Sequence, residues 1–262
     1  CTGPGEPYPF AQTGLALLAL QGDGHFDFSG QYSGHVRRGL AWLVQQQHPD
    51  GGLHSGSIAS NGYYMYEHGM AAFALCEACA VAVAAQRAPD ETFRQAAQKA
   101  VRFIEYQQHD DGGWRYTGEK SERSDTSVSG WQVLALKSAL AAKLDVGPGS
   151  IDRLKSFFAS CETGRDGRTG YMAGSTPNTE ATTGVGMLVH HFMLSQPDSE
   201  LVRQAAPFLA SLAERRGWGG NDYYLWYNCT LAMFLSGGQP WERWNSIVRD
   251  TVIGLQAKGG CA

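Results

Sequence analysis

The segment Ser129-Gly130-Trp131-Gln132 opens the apolar run Val133-Leu134-Ala135-Leu136, and this pattern indicates a repeat fold because it recurs along the chain. In each copy a small residue, usually followed by glycine, precedes alanine and leucine. The copies begin roughly 50 residues apart, a spacing typical of helical-hairpin repeats. The other four are Thr13-Gly14-Leu15-Ala16, His68-Gly69-Met70-Ala71, Thr183-Gly184-Val185-Gly186 and Cys229-Thr230-Leu231-Ala232. We therefore predict five copies of one helical unit.

Each repeat contains two predicted helices of different character. The first is apolar nearly all round, which predicts burial on all sides, whereas the second has a one-sided apolar stripe with i, i+3, i+4, i+7 spacing. The stripes are Val36, Leu40, Leu43 and Val44 in the first repeat, Phe93, Ala97, Ala100, Val101 and Ile104 in the second, and Trp244, Ile247, Val248, Thr251, Val252 and Leu255 in the fifth. The pattern predicts an all-α, double-layered ring of five inner and five outer helices, with adjacent termini and a single domain over residues 1–262.

The predicted connectors after the outer helices are rich in aspartate and glycine. Asp50-Gly51-Gly52 and Asp111-Gly112-Gly113 are the clearest examples. Glycine supplies the positive φ that stops a helix and turns the chain. His48 and His109 occupy equivalent positions just before these sequences, which favours a structural role for both.

Composition limits the classes of function. The chain has 262 residues and a formal net charge of -4, so it offers no basic surface for nucleic acid. The longest apolar run, from Met70 to Ala85, is interrupted by Cys76, Glu77 and Cys79. We therefore predict that the chain does not span a membrane.

Two of the six cysteines, Cys1 and Cys261, lie at opposite ends of the chain among flexible residues. If the repeats close into a ring, a disulfide between them would staple the closure, and such a bond needs an oxidising compartment. The alternative is two unpaired thiols. An N-terminal cysteine is also compatible with the mature end of a lipoprotein, which would place a lipid anchor or a partner domain at the N-terminus. We expect an extracytoplasmic location, periplasmic or secreted.

Phe103-Ile104-Glu105-Tyr106-Gln107, leading to Asp111-Gly112-Gly113-Trp114, resembles the Gln-Trp repeat of squalene and oxidosqualene cyclases. The alternation of inner and outer helices resembles the α/α toroid that those enzymes share with the β subunits of protein prenyltransferases. More closely, the chain resembles bacterial squalene-cyclase-repeat proteins of unassigned activity. That resemblance rests on Met65-Tyr66-Glu67-His68-Gly69, Asp125-Thr126-Ser127, Gly130-Trp131-Gln132 and Gly237-Gly238 with Trp241 and Trp244-Asn245.

The resemblance implies one catalytic position. Class II terpene cyclases protonate an alkene with the middle acid of Asp-x-Asp-Asp-Thr, and the matching stretch here is Glu122-Arg123-Ser124-Asp125-Thr126. Ser124 stands where the donor acid would be, and Asp125 matches the third acid. Asp125 is therefore a candidate catalytic residue, with an N-cap for the following helix as the favoured alternative.

A second implied chemistry is zinc-dependent thiol alkylation. Prenyltransferases hold zinc with an aspartate, a cysteine and a histidine, but the matching positions carry Thr183, Val185 and Asn228. These are not a zinc ligand set. The Cys-Gly-Glu-Gln thioester of complement-type toroids is also absent from the sequence. We expect no metal and no cofactor.

The residues just before the aligned glycines are predicted to line one mouth of the ring, because all inner helices start at the same end. Glu67 and His68 form the only adjacent acid-base pair there and join Asp125 as candidate catalytic residues; a capping glutamate beside a buried, hydrogen-bonded histidine is the alternative. Aromatic residues crowd the approach, either as a ligand cage or as packing. The candidate ligand-binding residues are Tyr64, Tyr66, Trp131, Tyr224, Trp226, Tyr227 and Cys229.

These observations predict a toroidal binding domain with an aromatic-lined mouth. The expected partner is an apolar small molecule, such as an isoprenoid, or a peptide. One alternative is a terpenoid-cyclase-like isomerase or transferase that uses Asp125 or the pair Glu67 and His68. Another is a structural ring module of a larger assembly.

Overall fold

The computed structural model describes residues 8–56, 61–163, 166–174, 179–216 and 222–255. Within these ranges every regular element is an α-helix, and only isolated β-bridges occur besides. The helices are α1 (Pro9–Gly22), α2 (Ser33–Gln46), α3 (Tyr64–Ala84), α4 (Glu91–Gln107), α5 (Thr126–Ala141), α6 (Pro148–Cys161), α7 (Glu180–Phe192), α8 (Glu200–Arg216), α9 (Tyr223–Ser236) and α10 (Gly238–Leu255). The predicted all-α class is confirmed.

The described chain forms two compact units. Residues 8–157 form the N-terminal unit, with α1 to α5 and most of α6. Residues 158–255 form the C-terminal unit, with α7 to α10. In the first unit α1, α3 and α5 pack side by side while α2 and α4 cover them; in the second α7 packs on α9, and α8 and α10 pack together.

The aligned glycines lie where neighbouring inner helices touch. A Cβ atom added to Gly14 of α1 would lie 2.8 Å from the backbone of Met70 in α3. One added to Gly69 of α3 would lie 2.8 Å from the Cβ atom of Trp131 in α5. In the C-terminal unit, a Cβ atom at Gly184 of α7 would lie 2.9 Å from the Sγ atom of Cys229 in α9. Such distances are shorter than any side chain tolerates, so glycine is what allows the helices to approach.

The inner helices of each unit run parallel. Further along α1, the Gln21 side chain donates to the carbonyl of Ala74, which is likewise further along α3. Near the C-terminal ends of α7 and α9, His191 contacts the Ser236 hydroxyl at 3.0 Å. Contacts at both ends in the same order require parallel helices.

Burial of the inner helices depends on their place in the chain. α3 and α5 are buried over most of their length, as predicted. α1 and α9 are not: Leu15 is 38% exposed and Phe234 is 60% exposed. The prediction of burial on all sides is therefore wrong for these two helices within their units.

The outer helices follow most of their predicted apolar stripes, although Val44 of α2 is only partly buried. Val36, Leu40 and Leu43 of α2 are fully buried, and the predicted stripe of α4 is buried too. In α10, Trp244 and Val248 are buried, but Val252 is 44% exposed and the adjacent Ile253 is 64% exposed. The fifth stripe is thus covered only over its first half.

The first Asp-Gly-Gly turn locks onto the next outer helix. Gly51 has a φ of +95°, and a side chain there would overlap the carbonyl oxygen of Lys99 in α4. The Gln47 side chain donates to the carbonyl of Gly51 at 3.1 Å and to that of Ala96 in α4 at 2.9 Å. The turn therefore joins its own repeat to the following one.

The next turn repeats this geometry closely. Gly112 has a φ of +94°, and a side chain there would overlap the carbonyl oxygen of Arg153 in α6. The Gln108 side chain donates to the carbonyls of Gly112 and Ser150. In the C-terminal unit Gly167, with a φ of +65°, approaches the carbonyl of Leu201 in α8 in the same way. The predicted role of glycine in these turns is confirmed.

α3 is the one described helix that is long and apolar enough to cross a membrane, but 72% of the relevant window is buried inside the structure. Burial of that kind is typical of a core helix. Cys1 and Cys261 lie outside the described residues, as does the proposed meeting of the termini. The four described cysteines, Cys76, Cys79, Cys161 and Cys229, are buried free thiols.

Candidate functional site

His68, a candidate catalytic base, is a fully buried residue of α3. Its Nδ1 atom accepts a hydrogen bond from the backbone N–H of Leu53 at 3.1 Å, and its Nε2 atom lies 3.2 Å from the carbonyl of Ala100. The ring packs on Phe103 at 4.5 Å. Burial lowers the pKa of His68 to about 3, so the imidazole is neutral. Both nitrogens are occupied by backbone groups.

The same hydrogen bond recurs in later repeats at the residue before the aligned glycine. There a hydroxyl takes the place of the imidazole, and the donor is again a backbone N–H just after the Asp-Gly turn. The pairs are Trp114 N with Ser129 Oγ at 2.9 Å and Thr169 N with Thr183 Oγ1 at 3.5 Å. His68 therefore performs a task that serine and threonine perform elsewhere, which is to fix the turn on the start of an inner helix.

Glu67 lies in the first turn of α3, with 1% of its surface exposed. Its carboxylate accepts from the backbone N–H of Phe10 at 3.3 Å, from the N–H and hydroxyl of Ser55 at 3.2 and 2.6 Å, and from the Asn61 amide at 2.7 Å. Phe10 belongs to the first turn of α1, where free N–H groups and the helix dipole favour a negative charge. Glu67 thus caps a neighbouring helix and ties Ser55 and Asn61 to it.

Asp125 is the N-cap of α5, which confirms the structural alternative proposed for it. Its carboxylate accepts from the N–H of Val128 at 2.8 Å, the Ser127 hydroxyl at 2.6 Å and the Arg115 guanidinium at 2.8 Å. The side chain is fully buried. Every one of these partners is a donor, whereas an acid that protonates an alkene needs a neighbour that holds its proton in place.

The Ser124 hydroxyl, at the position of the cyclase donor acid, contacts Asp111 at 2.5 Å and is buried. It therefore serves the turn.

A partly exposed cluster, the N-terminal rim, lies beside Asp125. It consists of Tyr63, Tyr66, Arg115, Tyr116 and Ser127. The Tyr66 hydroxyl contacts Ser127 at 2.8 Å, its ring stacks on Tyr116 at 5.8 Å, and the Arg115 guanidinium lies 4.3 Å from the centre of the Tyr116 ring. Burial raises the pKa of Tyr66. These contacts join the side chains of the rim to one another, so its polar groups have a structural role.

Tyr64 and Trp131, two predicted ligand contacts, are core residues of the same unit. They are 1% and 3% exposed. The Tyr64 hydroxyl accepts from the backbone N–H of Gly118 and lies 3.5 Å from Gln107. Neither side chain is available to a ligand in this structure.

The C-terminal unit holds an open apolar groove between α9 and α10, called here the α9–α10 groove. Its volume is about 490 Å³. The lining residues are Trp226, Tyr227, Thr230, Leu231, Phe234, Trp241, Val248 and Val252. All but one of these side chains are apolar or aromatic.

The walls of the groove are fixed by contacts between the two helices. Trp244 of α10 donates its indole N–H to the Thr230 hydroxyl of α9 at 3.0 Å. Phe234 and Trp241 meet edge to face with ring centres 5.4 Å apart. The tight connection between the helices uses a φ of +64° at Gly237 and +61° at Gly238. The groove is therefore a formed feature of this hairpin.

The structure separates the predicted site residues into two groups. Trp226 and Tyr227 line the groove, Tyr224 is half-buried nearby in sequence, and Cys229 is fully buried. The Cys229 thiol donates to the carbonyl of Glu180 at 3.3 Å, and burial raises its pKa. The remaining candidates, Glu67, His68, Asp125, Tyr64, Tyr66 and Trp131, belong to the N-terminal unit.

Sequence reasoning missed the other walls of the groove, above all Leu231, Phe234 and Val252. A signal was present in α9: Tyr227, Leu231 and Phe234 have the i, i+4, i+7 spacing of a second apolar stripe. The uniformly apolar composition of an inner helix hid that stripe.

Two comparisons with known proteins bear on identity. No family model and no curated protein matches the chain. In the part of the chain that the structure describes, no three histidine, cysteine or acidic side chains converge as metal ligands do.

Proposed function

We propose that the protein is a non-catalytic binding domain of the α/α-toroid class, and that the α9–α10 groove holds an apolar ligand. The main support for the proposal is the groove, which is open, apolar and about 490 Å³ in volume. The ligand class is an apolar small molecule such as an isoprenoid, with an apolar peptide segment as the alternative occupant.

The toroid class is supported by the organisation of each unit. Parallel inner helices approach through glycines, outer helices cover them, and each Asp-Gly turn docks on the following outer helix. These features agree with the resemblance to squalene-cyclase repeats in Gln107 to Trp114. A ring of five such hairpins is the simplest continuation of the same packing rule.

An apolar ligand is supported by the size and chemistry of the groove. About 490 Å³ falls within the range of small-molecule sites. Phe234 is 60% exposed and Val252 is 44% exposed, so contact with an apolar molecule would remove both from water. Burial of apolar surface contributes about 25 cal/mol per Å². A cluster of large exposed apolar residues often marks a binding surface, whereas single exposed apolar residues are common.

Catalysis is disfavoured by the environment of the candidate residues. Asp125 faces only donors, His68 is held between two backbone groups, and Glu67 accepts four hydrogen bonds. A general acid or base has to reach a substrate atom. The three candidates are at most 1% exposed.

The test is a titration of the full chain with a sesquiterpene alcohol and, separately, with an apolar peptide. Tryptophan fluorescence is the signal that measures binding. Trp226 and Trp241 line the groove and should report occupancy. Phe234→Ser should weaken binding about tenfold, because it removes a central apolar contact. Leu140→Ser, at a comparably exposed leucine of α5, is the matched control and should bind like the unchanged protein.

Equal affinity of the Phe234 and Leu140 variants would contradict the assignment of the groove. Absence of binding to either probe, together with no lipid in organic extracts of the purified protein, would favour the structural ring module instead.

A further inference from the structure

A second cavity lies in the N-terminal unit, where the α3–α4 connection meets the turn between α1 and α2. It encloses about 190 Å³ and is called here the corner pocket. Its charged lining consists of Asp27, Arg37, Arg87 and Asp90. The pocket is separate from the α9–α10 groove and independent of the function proposed for it.

Two of the four charged side chains are already committed to each other. Asp90 is the N-cap of α4 and accepts from the backbone N–H of Thr92 at 3.0 Å. The Arg37 guanidinium donates to Asp90 at 2.9 Å and lies 5.6 Å from the centre of the Phe93 ring. This pair is neutral as a whole and forms one wall of the pocket.

Within the described residues, the other two charges have no salt bridge shorter than 4.0 Å. The Asp27 side chain is only 10% exposed, and the nearest cationic atom in a salt bridge, Nη1 of Arg37, is 4.0 Å away. Burial raises the pKa of Asp27 and outweighs the opposite effect of the nearby Arg37 and Arg87 guanidinium groups. The Arg87 guanidinium rests on the Phe28 ring at 5.0 Å and, within the described residues, forms no salt bridge.

The rest of the lining is apolar and rigid. Ala78, Cys79 and Ala82 of α3 form a floor that is at most 4% exposed. Asp27 and Phe28 sit at the tip of a tight turn that is closed by two backbone hydrogen bonds between Phe26 and Ser29. The backbone that carries Asp27 is therefore held in place.

We propose that the corner pocket binds a small zwitterion, a free α-amino acid, with its ammonium group on Asp27 and its carboxylate on Arg87. A planar guanidinium suits bidentate binding of a carboxylate. The apolar floor and the Phe93 ring would then receive an aliphatic side chain.

Size and charge both support this ligand class. A water molecule takes about 30 Å³ in the liquid, so 190 Å³ is the space of about six water molecules, which is the scale of a free amino acid. A simple cation would sit among two guanidinium groups, and a simple anion among two carboxylates. A molecule that carries both charges matches Asp27 and Arg87 at once.

The experiment is calorimetric titration of the full chain with leucine and with three analogues. Leucinamide lacks the carboxylate, N-acetylleucine lacks the ammonium group, and isopentylamine lacks the carboxylate and its carbon. We expect leucine to bind and each analogue to bind at least about tenfold more weakly, since a charged hydrogen bond contributes about 1.5–3 kcal/mol.

Variants then assign each contact. Asp27→Asn and Arg87→Gln should each weaken leucine binding about tenfold or more. In addition, Arg87→Gln should bind leucine and leucinamide equally, because the carboxylate has lost its partner. Arg38→Gln, at an exposed arginine of α2 outside the pocket, is the matched control, and circular dichroism checks that all three variants fold.

Three results would overturn the proposal. They are no leucine binding at millimolar concentration, equal binding of leucine and isopentylamine to the unchanged protein, and unchanged leucine affinity in Arg87→Gln. Because the analogue series uses the unchanged protein, the test stands even if Asp27→Asn does not fold.

Discussion

The N-terminal rim and the α9–α10 groove differ in the chemistry of their exposed surfaces: the rim is polar and hydrogen-bonded, whereas the groove is apolar and open to water. At the rim, Tyr66 bonds to Ser127, and both Ser127 and Arg115 donate to Asp125, so these polar groups have partners. In the groove, Phe234 and Val252 remain open to water although their neighbours are packed. The polar groups of the rim therefore already have hydrogen-bond partners. In the groove, a bound ligand would remove exposed apolar surface from water.

Charged residues at the start of a buried helix can serve the backbone rather than a substrate. The first turn of α3 carries Glu67 and His68, which look like an acid-base pair in the sequence. Four donors surround the glutamate, and two backbone groups hold the histidine. Inner helix starts concentrate unpaired backbone groups, so polar side chains gather there to satisfy them.

The largest expected effect is that of Glu67→Ala, which removes the acceptor of four hydrogen bonds in a buried setting. We expect a loss of about 4 kcal/mol in the free energy of unfolding, measured by urea denaturation. Glu91→Ala is the matched control, because Glu91 also lies in the first turn of a helix but is exposed. A loss of less than about 1 kcal/mol for Glu67→Ala would show that the network is dispensable.

Acid should destabilise the N-terminal unit through its buried histidines. Burial lowers the pKa of His68 to about 3 and also lowers the pKa of His54. The unfolded chain therefore binds more protons than the folded one below about pH 6.5, and stability is lost as the pH falls from there toward 3. His68 alone predicts a loss of about 2 kcal/mol between pH 6.5 and pH 5.

The measurement is a series of urea unfolding curves over that pH interval. His68→Gln keeps an acceptor for the Leu53 N–H and removes the titration, so its curve should depend less on pH. An equal pH dependence in both proteins would assign the acid sensitivity to other groups.

Ser129→Ala tests the equivalence between repeats and should cost about 1 kcal/mol, because it leaves the N–H of Trp114 without its acceptor. Ser156→Ala is the control, since the Ser156 hydroxyl is exposed and bonds within its own helix. Thermal unfolding of the two variants side by side is sufficient. If both variants melt together, the bond at the aligned position contributes nothing measurable.

The smallest effect on stability is expected for Phe234→Ser in the groove. Phe234 is 60% exposed, so its replacement should lower the free energy of unfolding by only about 0.5 kcal/mol, the lower end of the range for an aromatic pair such as the one it forms with Trp241. The same substitution is expected to weaken ligand binding about tenfold. A large loss of stability would mean that the phenylalanine belongs to the core, and it would remove the contrast between groove and rim.

Much of the fold could be predicted from periodicity and glycine. The stripes of α2 and α4, the positive φ of Gly51 and Gly112, and the N-cap at Asp125 all follow from local rules. These features depend on residues that are near one another in the sequence. Local rules were therefore sufficient to predict the helices and turns of an individual hairpin.

The site could be predicted less well, because its chemistry depends on distant partners. The acceptor role of Glu67 involves the N–H of Phe10 in another helix, and the wall of the groove joins Phe234 to Val252 across a hairpin. Sequence showed which residues were aromatic or titratable. Only the packing shows which of them are already satisfied.

The docking of each Asp-Gly turn on the following outer helix has a consequence for how such a chain can evolve. The glycine of one repeat needs the backbone of the next, as Gly51 needs Lys99 and Gly112 needs Arg153. The segment that can be duplicated or deleted as a module therefore begins at an Asp-Gly turn and ends with the next outer helix, whereas the repeat seen in the sequence begins at an inner helix. Recombination between an outer helix and the turn that follows it, which leaves each turn with its own docking partner, would lengthen or shorten the array with the least damage.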